Sequence, residues 1–176
     1  MHLIDRPLAL VGIMGAGKTS VAQRLGERLA TSVADLDAWV EADTGSSVAD
    51  LFAHEGEAAF RRREEAALAR ALAAGVEIVA CGGGIVVSES ARALLKGRCR
   101  TVWLEVSPEE AGRRLAGVAA DRPLLAEGSI EQRLKDLLES RAALYDAVAD
   151  VRVATDGLDA DQVADRVIAA LQGVEA

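Results

Sequence analysis

The 176-residue sequence has few aromatic residues, cysteines or histidines and no asparagine at all. With two Trp, one Tyr and two Phe, its core must be built mainly from Ala, Val, Leu and Ile, which suits helices packed on a parallel sheet. Cys81 and Cys99 are far apart in sequence, and His2 and His54 are the only imidazoles. That argues against a disulfide framework and a zinc site, so two buried, reduced thiols are expected. Charges or glycines interrupt every apolar stretch, well short of the roughly 20 residues needed to cross a bilayer. The start of the chain carries His2, Asp5 and Arg6 and lacks the apolar region and small-residue cleavage site of a secretory signal. A cytoplasmic address with no membrane partner is the expectation. Positive charge is also scarce: the formal net charge is −8, which disfavours nucleic acid as a partner. An anionic ligand would therefore need a locally basic pocket.

The length predicts a single domain, 1–176, around one core. Apolar or alternating runs of strand length occur at 8–11, 32–35, 77–81, 100–104 and 151–154, and helical sequence separates each from the next. The first helix is expected over 19–30, where Val21, Ala22, Leu25 and Leu29 recur at helical spacing. Further helix starts are signalled by Ser47 with Asp50, Ser107 with Glu110 and Pro108, Ser129 with Gln132, and Asp159 with Gln162. Gly45 and Gly75 stand where helices should stop. Strands alternating with helices predict an α/β fold: a five-stranded parallel sheet with helices on both faces, since parallel neighbours require crossovers. The stretch from about 117 to 128 lacks periodicity, and so long a loop in a compact domain is usually functional or disordered.

Gly12-Ile13-Met14-Gly15-Ala16-Gly17-Lys18-Thr19 fits the phosphate-loop pattern at a strand-to-helix junction. Its glycines let successive N–H groups converge on phosphate oxygens, and the helix N-terminus adds partial positive charge. Lys18 can reach the outer phosphates and the Thr19 hydroxyl can ligate Mg²⁺. The pattern binds nucleotide without fixing the reaction. The absence of asparagine excludes the Asn-Lys-x-Asp signature of typical GTPases, so adenine is favoured.

Asp35 and Asp37 follow the second strand at a spacing that points both carboxylates the same way if the backbone stays extended. One could serve a metal's shell and the other an acceptor hydroxyl. Alternatively, Asp37 only caps a helix beginning at Ala38. The run Phe60-Arg61-Arg62-Arg63-Glu64-Glu65 reads either as a solvated helix face or, because Arg61 follows an inward Phe60, as a source of one inward arginine. Gly82, Gly83 and Gly84 end the third strand, where such a cluster is costly unless something must approach the backbone. Arg113, Arg114, Arg122 and Arg141 could together supply the basic pocket that the acidic whole lacks.

Taken in order, Gly-Ile-Met-Gly-Ala-Gly-Lys-Thr, Asp-Leu-Asp, Phe-Arg-Arg, Gly-Gly-Gly, Asp-Arg-Pro-Leu-Leu and Arg-Ala-Ala-Leu-Tyr resemble the shikimate kinases over nearly the whole chain. The resemblance implies a P-loop fold like that of nucleoside monophosphate kinases, with a mobile lid at about 117–128. The implied activity is ATP-dependent phosphorylation of the shikimate 3-hydroxyl, in aromatic amino acid biosynthesis. It implies that Asp37, Arg61, Gly83 and Arg141 bind shikimate, with Asp37 also the catalytic base beside Lys18 and Arg122. Gly15, Ala16, Gly17, Lys18, Thr19, Ser20, Arg114 and Arg122 would hold ATP, with Arg114 stacking on adenine. Thr19, and Asp35 through water, would serve Mg²⁺. Cys81 stands where the family often has Thr or Ser, and the adenine contacts after Thr155 fall in a variable loop. A monomer acting on a small molecule is expected. The alternatives are a kinase for another hydroxy acid such as gluconate, or a nucleotide-binding module without turnover.

Overall fold

The computed structural model describes residues 5–116 and 129–173. Its strands are β1 (Leu8–Val11), β2 (Val33–Asp35), β3 (Ile78–Ala80), β4 (Arg100–Glu105) and β5 (Val151–Ala154). They form one sheet in the order β2-β3-β1-β4-β5, and every neighbouring pair is parallel. Strands β3, β1 and β4, flanked on both sides, are buried along almost their whole length, and β3 and β1 are wholly apolar, whereas edge strand β5 alternates buried and exposed residues. That contrast is what a sheet covered on both faces requires of its inner and edge strands.

The described helices are α1 (Lys18–Leu29), α2 (Leu36–Thr44), α3 (Val48–Glu55), α4 (Glu57–Ala73), α5 (Glu89–Arg98), α6 (Pro108–Leu115), α7 (Ile130–Val148) and α8 (Ala160–Gly173), with a 3₁₀ turn at Ile85–Val87. Ser47 and Ser107 accept hydrogen bonds from the Asp50 and Glu110 amides, as their spacing predicts. Asp159 and Gln162 cap reciprocally at 2.8 and 3.0 Å. Ser129 precedes α7 but makes no side-chain cap; Gln132, its expected partner, donates to Asp136 at 2.8 Å instead. The cap of α2 is Asp35, whose Oδ1 accepts from the Ala38 amide at 3.1 Å. Asp37 therefore lies inside the first turn and is not the cap residue of α2. The backbone turns helical at Leu36, so the two carboxylates do not share an extended segment. Gly45 and Gly75 adopt the left-handed conformation where helices end, with φ of 66° and 73°.

The core runs from Leu8, Leu10 and Leu25 through Ile78 and Leu104 to Tyr145, all at most 1% exposed. Cys81 and Cys99 are buried free thiols. No described helix is long and apolar enough to cross a membrane.

Strand order places the site. From β1 the chain crosses to β2, returns through β3 to β1's side, and passes to β4 on the other flank. The carboxyl ends of the strands at such a reversal open a crevice.

Candidate active site

The phosphate loop fills the gap between β1 and α1, and its glycines answer to specific neighbours. Gly12 and Gly15 have φ of +145° and +83°; a Cβ on Gly12 would stand 2.5 Å from the Leu104 carbonyl oxygen, and one on Gly15 2.9 Å from that of Ala111. The loop is thus clamped against β4 and α6. Lys18 Nζ donates to the Gly12 and Ile13 carbonyls at 2.8 and 3.0 Å. Met14, Gly15, Gly17, Lys18, Thr19 and Ser20 line a crevice of about 690 Å³. Ala16 does not: it is 1% exposed, and its amide bonds the Ile13 carbonyl at 3.2 Å.

At the end of β2, Thr19 Oγ1 donates to Asp35 Oδ2 at 2.5 Å. Asp35 joins α1 to α2 in this way, while Asp37, two residues further, faces the same crevice. Hydroxyl plus carboxylate is a hard-oxygen pair of the kind Mg²⁺ accepts, and no larger cluster of acidic, His or Cys ligands occurs among the described residues. That fits an ion that takes one or two protein oxygens and leaves the rest of its shell to phosphate and water.

Opposite lies the basic end. Arg61, on α4, is 11% exposed at its side chain; it pairs with Glu57 at 3.0 Å and with Glu64 at closer range. Its guanidinium carbon sits 5.6 Å from the ring centroids of both Phe52 and Phe60, within reach of cation–π attraction. Of the Arg-Arg-Arg run, Arg61 is the inward member; Arg62 is exposed and Arg63 pairs with Glu55 at 2.8 Å. Arg141, on α7, is 6% exposed and its Nη1 lies 3.3 Å from the Gly83 carbonyl oxygen.

The glycine triplet lies between these groups. A Cβ on Gly82 would stand 1.9 Å from Glu64 Oε1 and 2.8 Å from Asp37 Oδ1, and one on Gly84 2.1 Å from the Arg61 guanidinium carbon. On Gly83 it would meet the Met14 amide nitrogen at 3.3 Å. Each glycine therefore admits a different functional neighbour, and the triplet positions Glu64, the phosphate loop and Arg61 together.

Glu64 is the residue that sequence reasoning missed. It is 1% exposed, and burial pushes its carboxyl up to about 7, against the pull of Arg61 and with the push of Asp37. Its Oε1 has no hydrogen-bond partner among the described residues, nor does Arg61 Nε. The only available signal was the i, i+3 spacing from Arg61, which a solvated face shares.

Arg114, on α6, closes the crevice beside the phosphate loop. It donates to the Gly15 carbonyl at 3.1 Å, the Thr155 hydroxyl at 3.2 Å and the Thr155 carbonyl at 2.6 Å. Glu110 orients it at 2.8 Å, and hydrogen bonds from Arg113 and then Arg114 hold the Glu110 carboxyl down at about 2. Arg113 itself is 72% exposed and takes no part in the crevice. Cys81 lines the floor, and burial pushes its thiol well up, so it stays protonated. Arg122 and the expected lid lie outside the described residues. Of the other residues expected to bind nucleotide, metal or acceptor, all but Ala16 line this crevice.

Comparisons with known proteins agree with one another. The family model for shikimate kinase matches residues 14–172. A shikimate kinase of Frankia casuarinae is 46% identical over 164 residues, 93% of this chain and 72% of that protein. One of Streptomyces coelicolor is 42% identical over 169 residues, 96% of this chain and 97% of that protein. The solved shikimate kinase of Acinetobacter baumannii in complex with shikimate superposes with a TM-score of 0.91 at 34% identity, covering 97% of this chain and 94% of that one. A gluconokinase from Sinorhizobium meliloti reaches a TM-score of 0.55 at 18% identity, a likeness of fold alone.

Proposed function

This chain belongs to the shikimate kinase family, and from that membership and its crevice we infer that it transfers the γ-phosphoryl group of ATP to the 3-hydroxyl of shikimate. The products are ADP and shikimate 3-phosphate, a step of the shikimate pathway to aromatic amino acids. The observation that carries the reading is the two-ended crevice: a phosphate loop with its lysine at one end, Asp37 between, and two arginines, the buried Arg141 and the partly buried Arg61, at the other. A hydroxy acid fits that order, carboxylate on the arginines and hydroxyl toward the phosphate.

The loop amides and Lys18 would cradle the triphosphate, and Arg114 would support the adenine side. Mg²⁺, held by Thr19 and by Asp35 through water, would neutralise phosphate charge. Arg61 and Arg141 grip the carboxylate; Arg61 is kept in place by Glu64 and Glu57. Asp37 orients the hydroxyl and accepts its proton as the phosphoryl group departs. Because such transition states are loose, alignment and charge neutralisation contribute more than base strength. Arg122 belongs to the same proposal through its match to the family's phosphate-contacting arginine. The reading extends to a cytoplasmic monomer, since one chain supplies both ends of the crevice and both cysteines are free thiols.

A coupled ADP-release assay with shikimate, gluconate, quinate and no acceptor tests the assignment. Turnover dependent on shikimate is expected; equal ADP release without acceptor, or a preference for gluconate, contradicts it.

A further inference from the structure

Arg141 and Tyr145 stand one helical turn apart on α7, so both present to the same neighbour. That neighbour is the Gly83 carbonyl. The Tyr145 hydroxyl donates to its oxygen at close range, and Arg141 Nη1 approaches the same oxygen at 3.3 Å, longer than the usual bond. Tyr145 is completely buried, its ring 5.5 Å from that of Trp103, and burial pushes its phenol up to about 12, so the hydroxyl remains a donor. The adjacent peptides are tied separately: the Ile85 amide bonds the Gly82 carbonyl at 3.1 Å, and the Val87 amide bonds that of Gly84 at 3.0 Å. The Gly83 carbonyl is thus the one in the triplet held by side chains, and one of these belongs to the acceptor grip.

A carbonyl oxygen offers two lone pairs, and a buried one left unsatisfied is costly. We propose that Tyr145 is a positioning residue for acceptor recognition: by satisfying the Gly83 carbonyl it fixes the Gly83–Gly84 peptide and keeps the Arg141 guanidinium turned into the crevice. This rests on the reading of Arg141 as a carboxylate ligand. Without the hydroxyl, Arg141 is the carbonyl's remaining donor among the described residues. The guanidinium would close on the backbone, and the fork offered to shikimate would turn away. The trans peptide couples the Gly83 carbonyl rigidly to the Gly84 amide, so the same loss would loosen the backbone against Arg61.

Tyr145→Phe tests this because it keeps the ring and its packing on Trp103. The Michaelis constant for shikimate should rise about tenfold, the effect of one lost buried hydrogen bond and a diverted ligand, with kcat and the constant for ATP within about twofold. In an Arg141→Lys background the same change should have less than about a twofold effect, since residues that act through each other are not additive. A shikimate constant unchanged by Tyr145→Phe, even with a lower melting temperature, overturns the proposal by making the hydroxyl purely structural. Equal shifts in both backgrounds overturn it too. If Tyr145→Phe melts too early for turnover assays, calorimetric titration with shikimate at low temperature should show the same loss of affinity, and unchanged affinity again refutes it. Failure of the wild type to phosphorylate shikimate removes instead the functional reading beneath it.

Discussion

Gly84→Ala probes the acceptor end most sharply, because it adds one methyl group without altering any charge. Gly84 has φ −100° and ψ 5°, which alanine adopts, so the backbone bears no penalty. The new Cβ would lie 2.1 Å from the guanidinium carbon of Arg61 and 2.1 and 2.2 Å from its terminal nitrogens. Non-bonded carbons settle at about 3.5–4.0 Å, so the guanidinium must withdraw by roughly 1.5 Å. A long side chain can do this by changing rotamer, and Glu64, already half-neutral near pH 7, can protonate when its partner leaves. Stability should therefore fall by no more than about 1–3 kcal/mol, the ordinary range for a substitution. Recognition should suffer more selectively. Losing the charge-assisted grip on a carboxylate costs about 1.5–3 kcal/mol, or roughly 10- to 150-fold in shikimate affinity at 1.4 kcal/mol per tenfold. Steady-state kinetics varying each substrate, together with a thermal melt, would read both effects. A folded Gly84→Ala enzyme whose shikimate affinity stays within about twofold of wild type would refute the placement of the carboxylate on Arg61. So would an equal loss of ATP affinity.

Asp37→Asn should lower kcat by at least about a hundredfold while leaving ATP binding and the melting temperature nearly unchanged, because Asp35 and not Asp37 caps α2; near-normal turnover would exclude Asp37 as the proton acceptor. Lys18→Ala should cost about a hundredfold or more in kcat through lost charge stabilisation with the fold intact, as measured by ADP release and circular dichroism. Glu64 gives a pH signature: its folded carboxyl is raised to about 7 from 4.5, so its contribution to stability is full below the lower value and is lost as pH rises through the upper. Over that window the loss is at most about 3 kcal/mol. Denaturant midpoints of Glu64→Gln should be flatter than wild type between about pH 4.5 and 7, and an identical slope would contradict the assignment.

Much of this was legible in the sequence, for identifiable physical reasons. The alternation of short apolar runs with helical spacing gave the parallel sheet, because each element's period reflects the face it buries. The phosphate loop was legible because Gly12 and Gly15 are forced by close backbone neighbours, and the glycine triplet correctly announced a close approach without saying by what. What approaches is set by tertiary packing: Glu64 looks like any glutamate in a charged run until α4 brings it against Gly82. The capping choice between Asp35 and Asp37 was invisible for a similar reason, since either could begin a helix and the start at Leu36 decides it. Ser129 shows the converse, a correct capping pattern whose partner Gln132 finds Asp136 instead. Tyr145 belonged to a recognised motif, yet its hold on Gly83 joins residues 62 positions apart, a separation that sequence spacing does not encode.

The most direct test of the central claim is phosphorus and proton NMR of the product formed from ATP and shikimate by the purified enzyme. A single phosphomonoester coupled to the proton on carbon 3 of shikimate, formed in step with ADP, is expected. A phosphate on another hydroxyl, or inorganic phosphate as the only new phosphorus species besides ADP, would contradict it.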